Sequence, residues 1–297
     1  MHGYRAAGSA LVAVLSTLAG FPLTASAAPN GLAWDSVTKV VTNADPSTLK
    51  PGAFDADYAA AASAPQSGGA IDRVKQGIAE HHYAAGSKER TDNVAQQTAT
   101  IVDCVARTIT TLDLRGKTYR VVSMDQSASP SPGGAGGPLS RFLSNGTHIT
   151  ISVKNTALGS LVVGGQPSNG FRSDMTFTIA TASGESFTQN GVRVAYYSAY
   201  ANPTSACSTL ALAAAQGPRV MAIYEQVMSA LSSGGTNSNF SVNQNGPTLP
   251  IGKLAIYETM TFQMLAHGMT RVTERGNVRA IAADDPVFSI PPGFTKQ

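Results

Sequence analysis

Cysteine is nearly absent from this 297-residue chain, which has only Cys104 and Cys207. Two thiols cannot by themselves build a thiolate metal cluster, and so few exclude a small disulfide-dense scaffold. Charge is also scarce, at 13 % of residues, and nearly balanced, with 21 Lys and Arg against 18 Asp and Glu and no block of either sign. Nothing in that distribution makes the basic stripe of a nucleic-acid surface, so nucleic acid is excluded as a partner. Beyond the first two dozen residues no apolar run approaches the roughly 20 residues that a membrane-spanning helix needs. The mature chain is therefore read as soluble and not membrane-spanning. Familiar catalytic patterns are missing too. There is no Gly-x-Ser-x-Gly elbow, no Gly-rich loop opening a helix after a strand, and no Cys/His nucleophile pair left once the cysteines are paired. The expectation is a protein that is not an enzyme and uses no cofactor.

What is present begins with an export signal. Arg5 precedes an apolar run from Ala10 to Leu23, followed by Ala25-Ser26-Ala27. A signal peptidase accepts only small side chains on either side of the middle residue of such a triplet, which places the cut after Ala27. Residues 1–27 are thus read as a signal peptide and 28–297 as a single β-rich domain, located in the periplasm or secreted. No Cys follows the apolar run, so lipid anchoring is not expected. In that oxidising compartment Cys104 and Cys207 should pair. Closing a loop of about 100 residues stabilises by up to ~4–5 kcal/mol in the chain-entropy model.

Along the mature chain, Gly31 to Pro65 reads as soft sequence with one short amphipathic helix over about Ala53 to Ala62, where Phe54, Tyr58 and Ala61 recur at helical spacing. From Ile78 to Met124, segments rich in Thr, Val, Ile and Tyr alternate with small polar turns. They predict an antiparallel meander over Ile78–Tyr83, Lys88–Thr91, Thr98–Cys104, Thr108–Leu114 and Thr118–Met124. Residues 126–138 are nearly all Ser, Pro, Gly and Ala, a flexible insertion with too little apolar surface to order itself. Clear one-face strands follow. Ile149, Ile151 and Val153 alternate with polar residues, as do Met175, Phe177 and Ile179, and Val192, Val194 and Tyr196. A helix over Pro218–Leu231 carries one apolar stripe and ends at Gly234-Gly235. The chain closes with strands over Leu254–Phe262 and Thr270–Arg279 and an extended segment, Val287–Phe294. No internal repeat of fixed period is evident. The fold class is mainly β (α+β): a curved antiparallel sheet, or half-barrel, with a packed helix.

Two runs carry a family resemblance: Leu112-Asp113-Leu114-Arg115-Gly116-Lys117-Thr118-Tyr119, a strand and tight turn opening on Lys-Thr-Tyr, and Phe288-Ser289-Ile290-Pro291-Pro292-Gly293-Phe294. Together they resemble exported bacterial proteins of the lipoprotein-carrier-like (LolA/LolB-like) half-barrel superfamily, over Ile78 to Met124 and about Gly170 to Phe294. The resemblance implies a strongly curved sheet wrapped around helices and a hydrophobic cavity.

Few residues stand out chemically. Glu80-His81-His82 invites a metal reading, but on a strand His81 and His82 point to opposite faces, leaving Glu80 and His82 as a pair short of ligands. No metal site is expected. Glu258 lies on a stripe with Leu254, Ile256, Met260 and Phe262, where its charge must be paired, neutralised or placed in a wet cavity. Combined with Met175, Phe177 and Ile179, this stripe is the candidate ligand-binding face, lining one concave apolar space beneath the helix. The expected function is a periplasmic, non-enzymatic binding or carrier protein for an apolar, lipid-like ligand such as an acyl chain. The alternative is a structural or adaptor protein with a filled core and an envelope protein as partner. Two measurements check the export reading: intact mass should place the amino terminus at Ala28, and alkylation of unreduced, denatured protein should find no free thiol.

Overall fold

A computed structural model describes residues 31–64, 70–124, 148–180, 184, 186–203, 240–250, 252–264 and 267–297. The signal segment, the insertion 126–138, Cys207 and the expected helix Pro218–Leu231 lie outside the described residues. Strand β1 spans Gly31–Thr42, followed by helices α1 (Phe54–Ser63) and α2 (Ala70–Gln76). A meander comes next: β2 (Ile78–Ala85), β3 (Lys88–Asn93), β4 (Thr98–Asp103), β5 (Thr108–Asp113) and β6 (Thr118–Ser123). Three long strands, β7 (His148–Val163), β8 (Gln166–Ala180) and β9 (Ser186–Ala201), precede β10 (Phe240–Asn245), β11 (Lys253–Met264), β12 (His267–Ile281) and β13 (Thr295–Lys296).

All the described strands belong to one curved, unclosed sheet in the order β10-β7-β8-β9-β11-β12-β1-β2-β3-β4-β5-β6-β13. The fold is mainly β, as the alternation patterns require. Pairing is antiparallel except where β10 joins β7 and β13 joins β6. The first strand, β1, lies in the middle between β2 and β12, in a segment whose sequence reads as soft.

The meander does contain a short repeat, contrary to the expectation of none. Asn93, Asp103 and Asp113 each end a strand, and each side-chain oxygen accepts backbone N–H groups two or three residues on, from Gln96, from Val105 and Ala106, and from Arg115 and Gly116. Gln97, Arg107 and Lys117 then take positive φ values of 53°, 52° and 49°, and Thr98, Thr108 and Thr118 open the next strands. The unit is an Asx-type turn, a left-handed residue and a Thr, and each copy makes one hairpin connection. Its irregular apolar content hides it from a search for hydrophobic periodicity.

One face of the sheet is covered by helix and tail. Helix α1 sets Phe54 and Ala61 against Val37 and Ala79, with Tyr58 alongside. Farther along that face Phe288 packs with Ala33, Ala85 and Ile281, and Phe294 packs against Ala99, Ile101 and Leu112. This corrects the extended reading of Val287–Phe294. Pro286–Phe288 is a 3-10 turn, because the Asp285 side chain accepts the Val287 N–H at 2.9 Å and Pro286 supplies a fixed φ at its start. Only Thr295–Lys296 pair as strand.

Docking of α1 depends on Gly276, where an added Cβ would lie 2.5 Å from Phe54 Cε1. Gly276→Ala should cost about 1–3 kcal/mol in denaturant unfolding. Much of that cost should disappear in the Phe54→Ala background, where the colliding ring is gone, as a double-mutant cycle would measure.

Candidate functional site

Residues directly opposite one another across antiparallel ladders share a face, so the register defines the surface opposite α1. One row runs Val153, Met175, Gly191 and Phe262 across β7, β8, β9 and β11, and the next runs Asn155, Ser173, Arg193 and Met260. A third places Phe171, Ala195 and Glu258 together. Phe177 stands opposite Ile151, and Ile179 opposite Ile149. Six of the expected site residues, Met175, Phe177, Ile179, Glu258, Met260 and Phe262, therefore occupy positions on one face. The side chains of Ile179 and Phe262 lie outside the described residues.

Leu254 and Ile256 leave these rows. The ladder between β11 and β9 shifts register between Lys253 and Ala255 and again between Ala255 and Tyr257. An extra residue in one strand interrupts the two-residue period. Ala255 takes the place opposite Tyr197, while Leu254 and Ile256, 4 % and 1 % exposed, pack with Trp34, Val163 and Val272. They form core. Strict alternation gives no warning of such a shift.

One buried and one partly buried polar pair punctuate the apolar face. Ser173 Oγ donates to Asn155 Oδ1 at 2.8 Å, and Asn155 Nδ2 donates to the Pro247 carbonyl at 3.0 Å. Arg193 Nε donates to Glu258 Oε1 at 2.8 Å and Arg193 Nη1 to the Tyr197 hydroxyl at 2.6 Å, with the guanidinium 5.6 Å from the Tyr197 ring centre. Arg271 approaches the same carboxylate at 3.9 Å. Burial alone would raise the Glu258 carboxyl, but the charge and hydrogen bond of Arg193, then Arg275 and Arg271, hold it below the usual carboxylate range. Burial works against the Arg193 guanidinium as well, and Glu258 and Tyr197 more than offset it.

Beside this pair lies a cavity of about 200 Å³ whose walls include Trp34, Arg193, Lys253, Leu254, Glu258 and Arg275, so the expected site residue Leu254 lies beside Glu258 although it leaves the rows. Trp34 stacks on His82 with ring centres 5.1 Å apart and planes 9° off parallel, and its buried indole N–H has no hydrogen-bond partner among the described residues. Burial pushes the Arg275 guanidinium below the ordinary arginine range; Glu258 opposes that, while Arg271 and Arg193 add repulsion. Trp34, Arg193 and Arg275 are absent from the sequence reading, since each comes from a different strand and no local spacing links them.

A second cluster lies on the helix-covered face. His81 Nδ1 is 2.6 Å from Asp35 Oδ1, Asn277 Nδ2 donates to Asp35 Oδ2 at 2.7 Å, and the Tyr58 hydroxyl sits 3.1 Å from His81 Nδ1. The Asp35 hydrogen bond raises His81 ahead of the opposing effect of burial. Burial would raise Asp35, but His81 and Asn277 bring it below its usual value. Burial, with Asp35 nearby, lifts the Tyr58 hydroxyl to about 12. On the other face Glu80 Oε2 is 3.5 Å from His82 Nε2. Among the described residues no group of three or more His, Cys, Asp or Glu side chains could hold a metal ion, and no helix is long and apolar enough to cross a membrane. No protein-family model matches the chain, and no curated protein matches it.

The two carboxylates and the histidine give stability opposite pH limits. Glu258 and Asp35 are lowered on folding, so their contribution is present above the unfolded carboxylate values near ~4 and is lost as pH falls through the folded ones. His81 is raised, so its contribution is full below about 6.5 and is lost as pH rises through its folded value. Glu258→Gln should cost about 3 kcal/mol in denaturant unfolding at neutral pH, because Arg193 is left without its counter-charge. It should also weaken the acid limb of stability against pH, to which Asp35 still contributes, while leaving the alkaline limb in place.

Proposed function

We propose that this protein is an exported, non-enzymatic binding or carrier protein whose ligand is a lipid-like amphiphile, held with its acyl chain on the face that carries Met175, Phe177 and Met260. The observation that supports this reading is the register. It places Ile151, Val153, Met175, Phe177 and Met260 on the face away from α1, all of them only partly buried, and sets the Arg193–Glu258 pair within the same rows. A partly buried ion pair costs desolvation that apolar packing would avoid, and a polar end of a ligand gives it a use. The polar groups orient one end of a ligand and the apolar rows accept the other.

A second reading, a structural or adaptor protein of the envelope, draws on the tip of the β7–β8 hairpin. There Leu158, Leu161 and Val162 are 44 %, 45 % and 67 % exposed, side chains suited to a contact with another protein. The two readings part at Met260. In a ligand-holding face Met260→Trp should fill the space and reduce the lipid that co-purifies, measured by mass spectrometry of an organic extract, with the melting temperature unchanged. In a filled core the same change should cost roughly 1–3 kcal/mol, and the wild type should carry no lipid.

A further inference from the structure

Building on the reading that this face holds an amphiphile, we propose that the cavity bounded by Trp34 and Arg275 is its anion site, taking a carboxylate head group while the acyl tail extends along Met260 and Met175. Two independent features call for an anion there. The first is charge. Glu258 is committed to Arg193 at 2.8 Å and is also the carboxylate nearest Arg271, at 3.9 Å. Arg275 makes no direct ion pair among the described residues, feels Glu258 only at longer range, and spends one hydrogen bond on the Ala255 carbonyl at 2.8 Å. Lys253, whose Nζ donates to the Ala199 carbonyl, adds another cation to the wall. Cations thus outnumber the single carboxylate at the cavity, and a guanidinium that is partly removed from water favours an anionic partner.

The second feature is an orphan donor. Trp34 is 5 % exposed, lines the same cavity, and its indole N–H has no acceptor among the described residues. A buried N–H without a partner is costly enough that native proteins rarely keep one, and a bound oxygen would satisfy it. An oxyanion answers both features at once.

Size and charge narrow the choice. A cavity of about 200 Å³ falls below the roughly 300–1,000 Å³ of a site that encloses a whole small molecule, so it takes a head group whose remainder lies outside. Glu258 is part of the wall and repels a dianion more than a monoanion. That favours a carboxylate over free phosphate. Arg193, directly opposite Met260 in the ladder, joins the cavity to the apolar rows along which the tail runs.

The test is isothermal titration of delipidated, exported protein with dodecanoate, dodecanol and inorganic phosphate. Dodecanoate should bind at least about tenfold tighter than dodecanol, the worth of a charge-assisted hydrogen bond, and phosphate only weakly. Arg275→Met should erase the preference for dodecanoate while keeping dodecanol binding. Trp34→Phe keeps a ring on His82 but removes the N–H, and should narrow the preference severalfold; it serves as the test should Arg275→Met fail to fold. Equal binding of dodecanoate and dodecanol by the wild type, or an unchanged preference in both variants, overturns the anion site and leaves the apolar face. Phosphate binding as tight as dodecanoate, with dodecanol inert, keeps an anion site and removes the fatty-acid ligand. Binding of none of the three overturns both the site and the carrier reading.

Discussion

A carboxylate sits 8 % exposed in the middle of the sheet, and the centre of the fold is organised around keeping it satisfied. Asp35 on β1 takes one contact from His81 on β2 and another from Asn277 on β12. Those partners come from the two strands that flank β1, so the polar contacts lock the same three strands that the backbone ladders join. An unmet carboxylate there would cost several kcal/mol, far more than a surface pair returns. Asn277 reaches it from a position where β12 carries one more residue than β1 opposite and where its own φ is +53°. The bulge and the buried acid form one device, in which a local departure from regular strand aims the amide that the acid needs.

The same polar centre explains what was legible in the sequence. The meander strands could be placed to within two residues, because Thr, Val and Ile runs bounded by Asn, Asp and Gly report local preferences that the fold does not override. Helix α1 was equally readable from Phe54, Tyr58 and Ala61. Strand β1 was not, since Asp35, Ser36 and Lys39 break the alternation of Ala33, Val37 and Val41. Their partners lie in other elements: His81 of β2 for Asp35, His82 of β2 for Ser36, and Asp57 of α1 for Lys39. A buried polar residue looks soft until its partner is known. On the candidate face the rows of Met175, Phe177 and Met260 could be read from period two. The shift around Ile256, and the convergence of Trp34, Arg193 and Arg275, depend on register between strands, which no window of sequence contains.

The sheet divides its labour by face. The face toward α1 and the carboxyl-terminal segment is covered by Phe54, Phe288 and Phe294 and holds the His81–Asp35 cluster. The other holds the apolar rows, the Arg193–Glu258 pair and the cavity. Trp34 stands on that second face at the centre, where its indole stacks on His82 and belongs to the same buried cluster as Leu254 and Ile256. The cavity wall and the structural core therefore share a residue. A change at Trp34 would be felt as a change in stability as well as in the shape of the cavity.

The position of β1 also sets a timetable for folding. Asp35 and Asn277 touch across 242 positions of sequence, whereas β1 and β2 are separated by only the two short helices. As the chain emerges from its amino terminus, β1 can zip onto the meander early, but its other edge waits until nearly the whole polypeptide has appeared. Closing so long a loop is entropically slow. During the wait β1 offers a bare row of backbone donors and acceptors, with Trp34 beside it, to any passing strand. A chain built this way gains from whatever holds that edge apart from its neighbours until β12 arrives.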